Sequence, residues 1–167
     1  YLHLVDGGIA DNLALRAIIE RIELMGGLDA ALADVAHLPK NVLIISVNAD
    51  VKPKRSIDAS ARKPSVMQTV DAFTDAQMKL YNVETLSFTK QQLAEMQQEL
   101  KRRGKHVEIF FVEVDFQSLN SKANRDFFNA LPTTLQLSNR EVDQLIAAGR
   151  SLLKDNPEFQ RFIAANN

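Results

Sequence analysis

The chain has 167 residues, 46% hydrophobic and 25% charged, a composition that builds one globular core and leaves little room for a disordered or membrane-spanning class. Twenty Lys and Arg against 21 Asp and Glu give a net charge of -1, which argues against a protein that grips phosphate backbones, so no nucleic-acid partner is expected. Cysteine is absent, which removes disulfides, thiolate zinc sites and cysteine nucleophiles together.

In chain order, Leu2, Leu4 and Val5 run into Asp6, and Gly7 and Gly8 supply the backbone freedom of a tight turn, so a strand ending in a turn is expected. Asp11 is placed to cap a helix whose apolar positions Leu15, Ile18, Ile22 and Met25 recur every three or four residues. Arg16 and Glu20 are expected to pair one turn apart on its wet side, and Gly26 and Gly27 to end it. A second helical stretch runs from about Leu28 to Ala36. Pro39 then introduces Val42 to Val47, an apolar run that suits a strand covered on both faces.

Strand, helix and strand joined by a long connection is the parallel crossover unit. The expected architecture is therefore α/β, a mostly parallel sheet with helices on both faces. The stretch DVKPKRSIDASARKP, 50–64, reads as a solvated loop whose cations are able to meet a lipid surface. From Ser65 a helical stripe of Val66, Val70, Phe73, Leu80 and Val83 begins, and a second of Leu93, Met96 and Leu100 follows. Thr89 with Gln92 has capping-box spacing, which predicts a break or kink near Leu86 to Thr89. Lys101, Arg102 and Arg103 before Gly104 suit the negative end of a helix. HVEIFFVEVDF is the next strand, and helices are expected over Lys122 to Asn129, after Ser138 with Glu141 as a capping box, and after Asn156-Pro157.

None of the nine serines stands in G-x-S-x-G, and no phosphate-binding glycine loop or H-E-x-x-H occurs. His3, His37 and His106 lie far apart and read as strand or loop residues rather than metal ligands. A cation site on Asp6 and Asp11 lacks the alternating oxygen ligands of a calcium loop, and neither metal nor cofactor is expected. Asp6 remains. A carboxylate at a strand end beside two glycines lies where open α/β sheets place reactive groups, and equally where an aspartate forms an Asx turn.

HLVDGGIADNLALR resembles the Asp-Gly-Gly block of the patatin-like phospholipases, in which a strand, a D-G-[GA] turn and a D-N pair before a helix recur. IDASARKPSVMQTVDAFTDAQMKLYNVETL, LPTTLQLSNREVDQLIAAGRSLL and NPEFQRF are similar to the C-terminal part of bacterial members, so the likeness covers most of the chain. The resemblance implies a serine lipid acyl hydrolase with a Ser-Asp dyad. It makes Asp6 the dyad carboxylate, Gly7 and Gly8 the active-site turn, and Asp11 and Asn12 structural residues beside it.

The family's G-x-S-x-G serine and glycine-rich oxyanion loop come earlier than this block. Residues 1–167 are accordingly expected to be a single unit, the C-terminal part of a patatin-like domain, inactive by itself and acting on a lipid ester only in the intact protein. Self-association, or association with a missing N-terminal half, is expected of a sheet with open edges. The competing reading is a non-catalytic module that binds a protein or a membrane surface. Neither reading sets a location, and a soluble domain of a secreted, periplasmic or membrane-associated parent fits both.

Overall fold

The computed structural model describes residues 8–33, 39–51, 61–132, 134 and 136–166, with the side chains of Gly8 and Ile9 left aside. The expected strand over Leu2 to Val5, together with Asp6 and Gly7, lies outside the described residues. Helices α1 (Gly8–Asp11), α2 (Leu15–Leu24) and α3 (Leu28–Ala31) precede strand β1 (Asn41–Asn48). The long helix α4 (Val66–Arg102) leads to strand β2 (Glu108–Asp115), a 3-10 turn over Phe116–Ser118, and helices α5 (Lys122–Asn129), α6 (Asn139–Lys154) and α7 (Pro157–Ala165). The fold is mixed α/β, with β1 and β2 paired in a small parallel sheet.

The chain groups into two compact units, one of Tyr1–Val42 with Ile57–Ile109 and one of Leu43–Ser56 with Phe110–Asn167. In the first, Ile22, Leu28, Leu100 and Val107 form a buried cluster, with Val42, Met96 and Ile109 packed around it. Burying each such side chain contributes about 1.5 to 3 kcal/mol relative to leaving it in water. The expected Leu93, Met96 and Leu100 stripe thus supplies core. Gln97, half-buried, adds a polar tie: its amide nitrogen donates to the Val107 carbonyl at 2.6 Å and its oxygen accepts from the Ile109 N–H at 2.8 Å. The carboxamide thereby takes the place of a neighbouring strand at the start of β2.

Both glycine stops form as expected. The Gly27 N–H donates to the Ile22 carbonyl and the Gly26 N–H to the Glu23 carbonyl, with Gly26 at φ +88° and Gly27 at φ +113°. This paired closure needs backbone that residues with a Cβ rarely adopt. Two of the three basic residues at the end of α4 form ion pairs: Arg103 bonds Glu99 at 2.7 Å and reaches Asp29 at 3.4 Å, while Arg102 bonds Glu99 at 2.9 Å.

The predicted break in α4 does not occur. The helix is continuous for 37 residues and starts with a capping box at Ser65, whose hydroxyl accepts from the Gln68 N–H while the Gln68 side chain bonds the Ser65 N–H. Thr89, predicted to cap, lies mid-helix and is 1% exposed. Its face, shared with Thr85 and Leu93, is covered, and breaking there would strand helical amides away from water.

In the second unit Phe110, Val112 and Val114 alternate into the core. Phe110 meets Phe162 edge-on at 5.4 Å, and Phe116 stacks on Phe128 at 5.0 Å. The expectation that β1 is covered on both faces is corrected: Ser46 is buried while Ile45 and Val47 are exposed. Only one face of that part of the strand is covered, so its apolar run does not mean burial on both.

Asn156 starts α7 as predicted, accepting from the Glu158 and Phe159 N–H groups, and its amide also donates to the Glu113 carbonyl at 3.1 Å. The capping box of α6 forms as well, with the Ser138 N–H and hydroxyl both donating to the Glu141 carboxylate at 2.7 Å. Those two bonds, the hydroxyl first, hold the Glu141 carboxyl below its ordinary pKa. A depressed carboxylate pKa stabilises the fold above the unfolded value and loses that contribution as pH falls through the folded one. Amide protection in the first turn of α6 is therefore expected to drop as pH falls through and below the ordinary carboxylate range. In Glu141→Gln, hydrogen exchange between neutral and acid pH should show a smaller drop there.

Candidate functional site

The Asp-Gly-Gly block and the helix after it define the site to be tested. Gly8 opens α1, which ends at Asp11, and the chain then turns through Asn12, Leu13 and Ala14 before α2. Ala14 sits at φ +54°, an unusual left-handed conformation for a residue with a Cβ. Asp11 caps α2 from a distance: its Oδ2 accepts from the Ala17 N–H at 3.0 Å, although the residue at the N-cap position is Ala14. The expected cap exists, displaced by three residues. The other oxygen, Oδ1, is buried without a hydrogen-bond partner among the described residues.

This turn packs against the middle of α4. The Asn12 amide donates to the Asn82 Oδ1 at 3.4 Å. Arg16 donates from Nε to the Thr85 hydroxyl at 3.1 Å, and its guanidinium lies 4.7 Å from the Tyr81 ring centre and 5.5 Å from that of Phe88. The expectation that Arg16 works through Glu20 on the wet side is corrected. A planar, weakly hydrated guanidinium gains more between two rings and a buried hydroxyl than in an exposed ion pair.

Asn82, Thr85 and Thr89 are buried, and Thr89 Oγ1 has no hydrogen-bond partner among the described residues. Asn82 and Thr85 were not singled out in the sequence, and Thr89 only as a helix cap. The available signal was their spacing of three and four, which puts three neutral polar side chains on one helix face.

Asp11 and Asn12 are thus brought together at the start of α2 and braced on α4, whereas Asp6 and Gly7 lie outside the described residues. The described part of the site holds hydrogen-bonding neutral groups, one carboxylate and one guanidinium. It anchors the turn, and it contains no serine.

Among the described residues, cavities also lie away from this turn. In the first unit one of about 330 Å³ has Ile22, Leu28, Met96 and Leu100 in its wall and Glu99 and Arg103 beside them. In the second unit a polar cleft of about 400 Å³ includes Ser121, Asn124, Ser151 and Asp155. There the Ser151 hydroxyl donates to the Asp155 carboxylate at 2.9 Å, one helical turn on, as serines near helix ends commonly do. Among the described residues no group of three His, Cys, Asp or Glu side chains is able to hold a metal ion, and no helix is long and apolar enough to cross a membrane. Comparison with protein-family models, with curated proteins and with solved structures finds no match to the chain.

Proposed function

We propose that this chain is the C-terminal portion of a patatin-like serine lipid acyl hydrolase domain, with Asp6 as the carboxylate of a Ser-Asp dyad. The observation that carries the reading is the block HLVDGGIADNLALR itself. Support comes from the way its second half is built: α1 begins at Gly8, and Asp11 and Asn12 tie the turn to α2 and α4. Those bonds hold the segment after the glycines in one orientation, as a positioned carboxylate requires.

In this reading Asp6 accepts a hydrogen bond from a serine hydroxyl supplied by polypeptide preceding Tyr1. As the serine oxygen attacks a lipid ester carbonyl, its proton passes to Asp6 and then to the departing alcohol, leaving an acyl-serine that water cleaves by the same proton route. An ordinary aspartate, with a pKa of about 3.9, is a weak base for an alcohol. Oxyanion donors, each contributing about 3 to 4 kcal/mol in serine hydrolases, therefore supply much of the barrier reduction. They too would come from the preceding glycine-rich loop, so the 167-residue chain alone has no turnover, and no metal or cofactor takes part.

The test uses the longer polypeptide that includes the region before Tyr1, assayed on a short-chain nitrophenyl ester. Asp6→Asn is expected to lower kcat by about a thousandfold or more with little change in KM, as loss of a transition-state proton acceptor does. Turnover within tenfold of the parent, in a variant with an unchanged circular dichroism spectrum, would remove Asp6 from the mechanism. The reading as a non-catalytic interaction module draws on a different observation, the apolar surface that α4 leaves exposed.

A further inference from the structure

The first half of α4 carries more exposed apolar surface than a helix needs for its own fold. Val66, Val70, Phe73 and Leu80 are 82%, 51%, 64% and 60% exposed, and Met67 and Val83 beside them 69% and 62%. Counting Gln77, the positions 66, 70, 73, 77 and 80 recur at four, three, four and three residues, the spacing of a seam between two helices. The flanking positions Thr69, Thr74 and Ala76 are uncharged, whereas Asp71 falls on the opposite side.

A helix lying on a lipid surface sets Lys and Arg on its polar face beside the apolar stripe. Neutral flanks suit another helix instead. Six side chains at this exposure present on the order of 600 Å² from one copy, so a pair of copies buries at most about 1,200 Å², the lower edge of a specific interface.

Charge decides the direction. Lys63 and Glu84 are exposed near the two ends of the stripe, Glu84 in line with Val66 and Leu80. An antiparallel pair centred between Phe73 and Thr74 sets Val70 against Gln77 and Val66 within one residue of Leu80, and brings Lys63, just ahead of α4 in each copy, to the end of the stripe that carries Glu84 of the other. An in-register parallel pair sets Lys63 against Lys63 and Glu84 against Glu84. Exposed ion pairs add little affinity but choose orientation.

We propose that two copies of this chain associate through an antiparallel seam formed by Val66, Val70, Phe73 and Leu80 of α4, oriented by Lys63 and Glu84. The seam rests on α4 alone and stands whether or not Asp6 serves a serine. Sedimentation velocity of the 167-residue chain is expected to show a monomer–dimer equilibrium in the micromolar range. Phe73→Glu, at an exposed position and so without effect on folding, is expected to leave monomer only.

Lys63→Glu should weaken association about tenfold, and the double variant Lys63→Glu with Glu84→Lys should restore it. Because the chain has no cysteine, Phe73→Cys should cross-link its two copies under oxidation while Val66→Cys does not. A monomer at every concentration overturns the proposal, as does a dimer unaffected by Phe73→Glu or ready cross-linking through Val66→Cys. Vesicle binding by a chain that never dimerises overturns it in favour of a lipid surface.

Discussion

Phe110→Ala is expected to lower the unfolding free energy by about 3 to 5 kcal/mol, the range for deleting a fully buried aromatic side chain. Phe110 is 1% exposed, meets Phe162 edge-on and has the Arg161 guanidinium 5.5 Å from its ring centre. The deletion removes transfer free energy, leaves a cavity under α7 and takes away one partner of each aromatic contact. Against a typical total of about 5 to 15 kcal/mol, this is a large fraction. Urea denaturation should show a lower midpoint with a similar slope. Leu24→Ala, at an 84% exposed site, should stay within about 0.5 kcal/mol of the parent. A Phe110→Ala midpoint equal to that of Leu24→Ala would mean that β2 does not form its core through this ring.

The second large effect is at Arg16. Arg16→Ala is expected to cost about 2 to 3 kcal/mol, because it removes a charged donor from the buried Thr85 hydroxyl and a cation from the faces of two rings. Arg16→Lys should recover only part of this, since an ammonium keeps the charge but lacks the flat fork. Hydrogen exchange is the sharper readout: amides in the first two turns of α2 should lose protection before those of α6. Stability of Arg16→Ala equal to that of the parent would show that the polar contact between α2 and α4 contributes nothing. Under the proposed function, in which Asp6 serves a serine, the same contact steadies the start of α2, and Arg16→Ala in a polypeptide that includes the region before Tyr1 is also expected to lower ester turnover.

Local chemistry explains which parts of the fold were readable. Capping boxes and glycine stops act over a few residues, so Ser138 with Glu141, Asn156 with Pro157, and Gly26 with Gly27 could be placed from spacing alone. β2 was readable because its β-branched and aromatic residues are dense. The Thr89 cap was misplaced for the same reason: a capping box states what a helix start would use, and does not say that the helix starts there. Continuity of α4 depends on Thr85, Thr89 and Leu93 being covered by distant residues, an effect no window of neighbours contains.

The site divides in the same way. The sequence by itself determined that a carboxylate and two glycines precede a capped amphipathic helix, that the chain offers no G-x-S-x-G, and that α6 and α7 begin where their caps stand, because each rests on residue type and short spacing. Only the tertiary structure decided that Arg16 turns inward between Tyr81 and Phe88, that Asn12 meets Asn82 seventy residues away, and that the Val66 to Leu80 stripe faces water. The physical reason is that periodicity shows a helix has an apolar side, whereas burial depends on what another part of the chain brings to it.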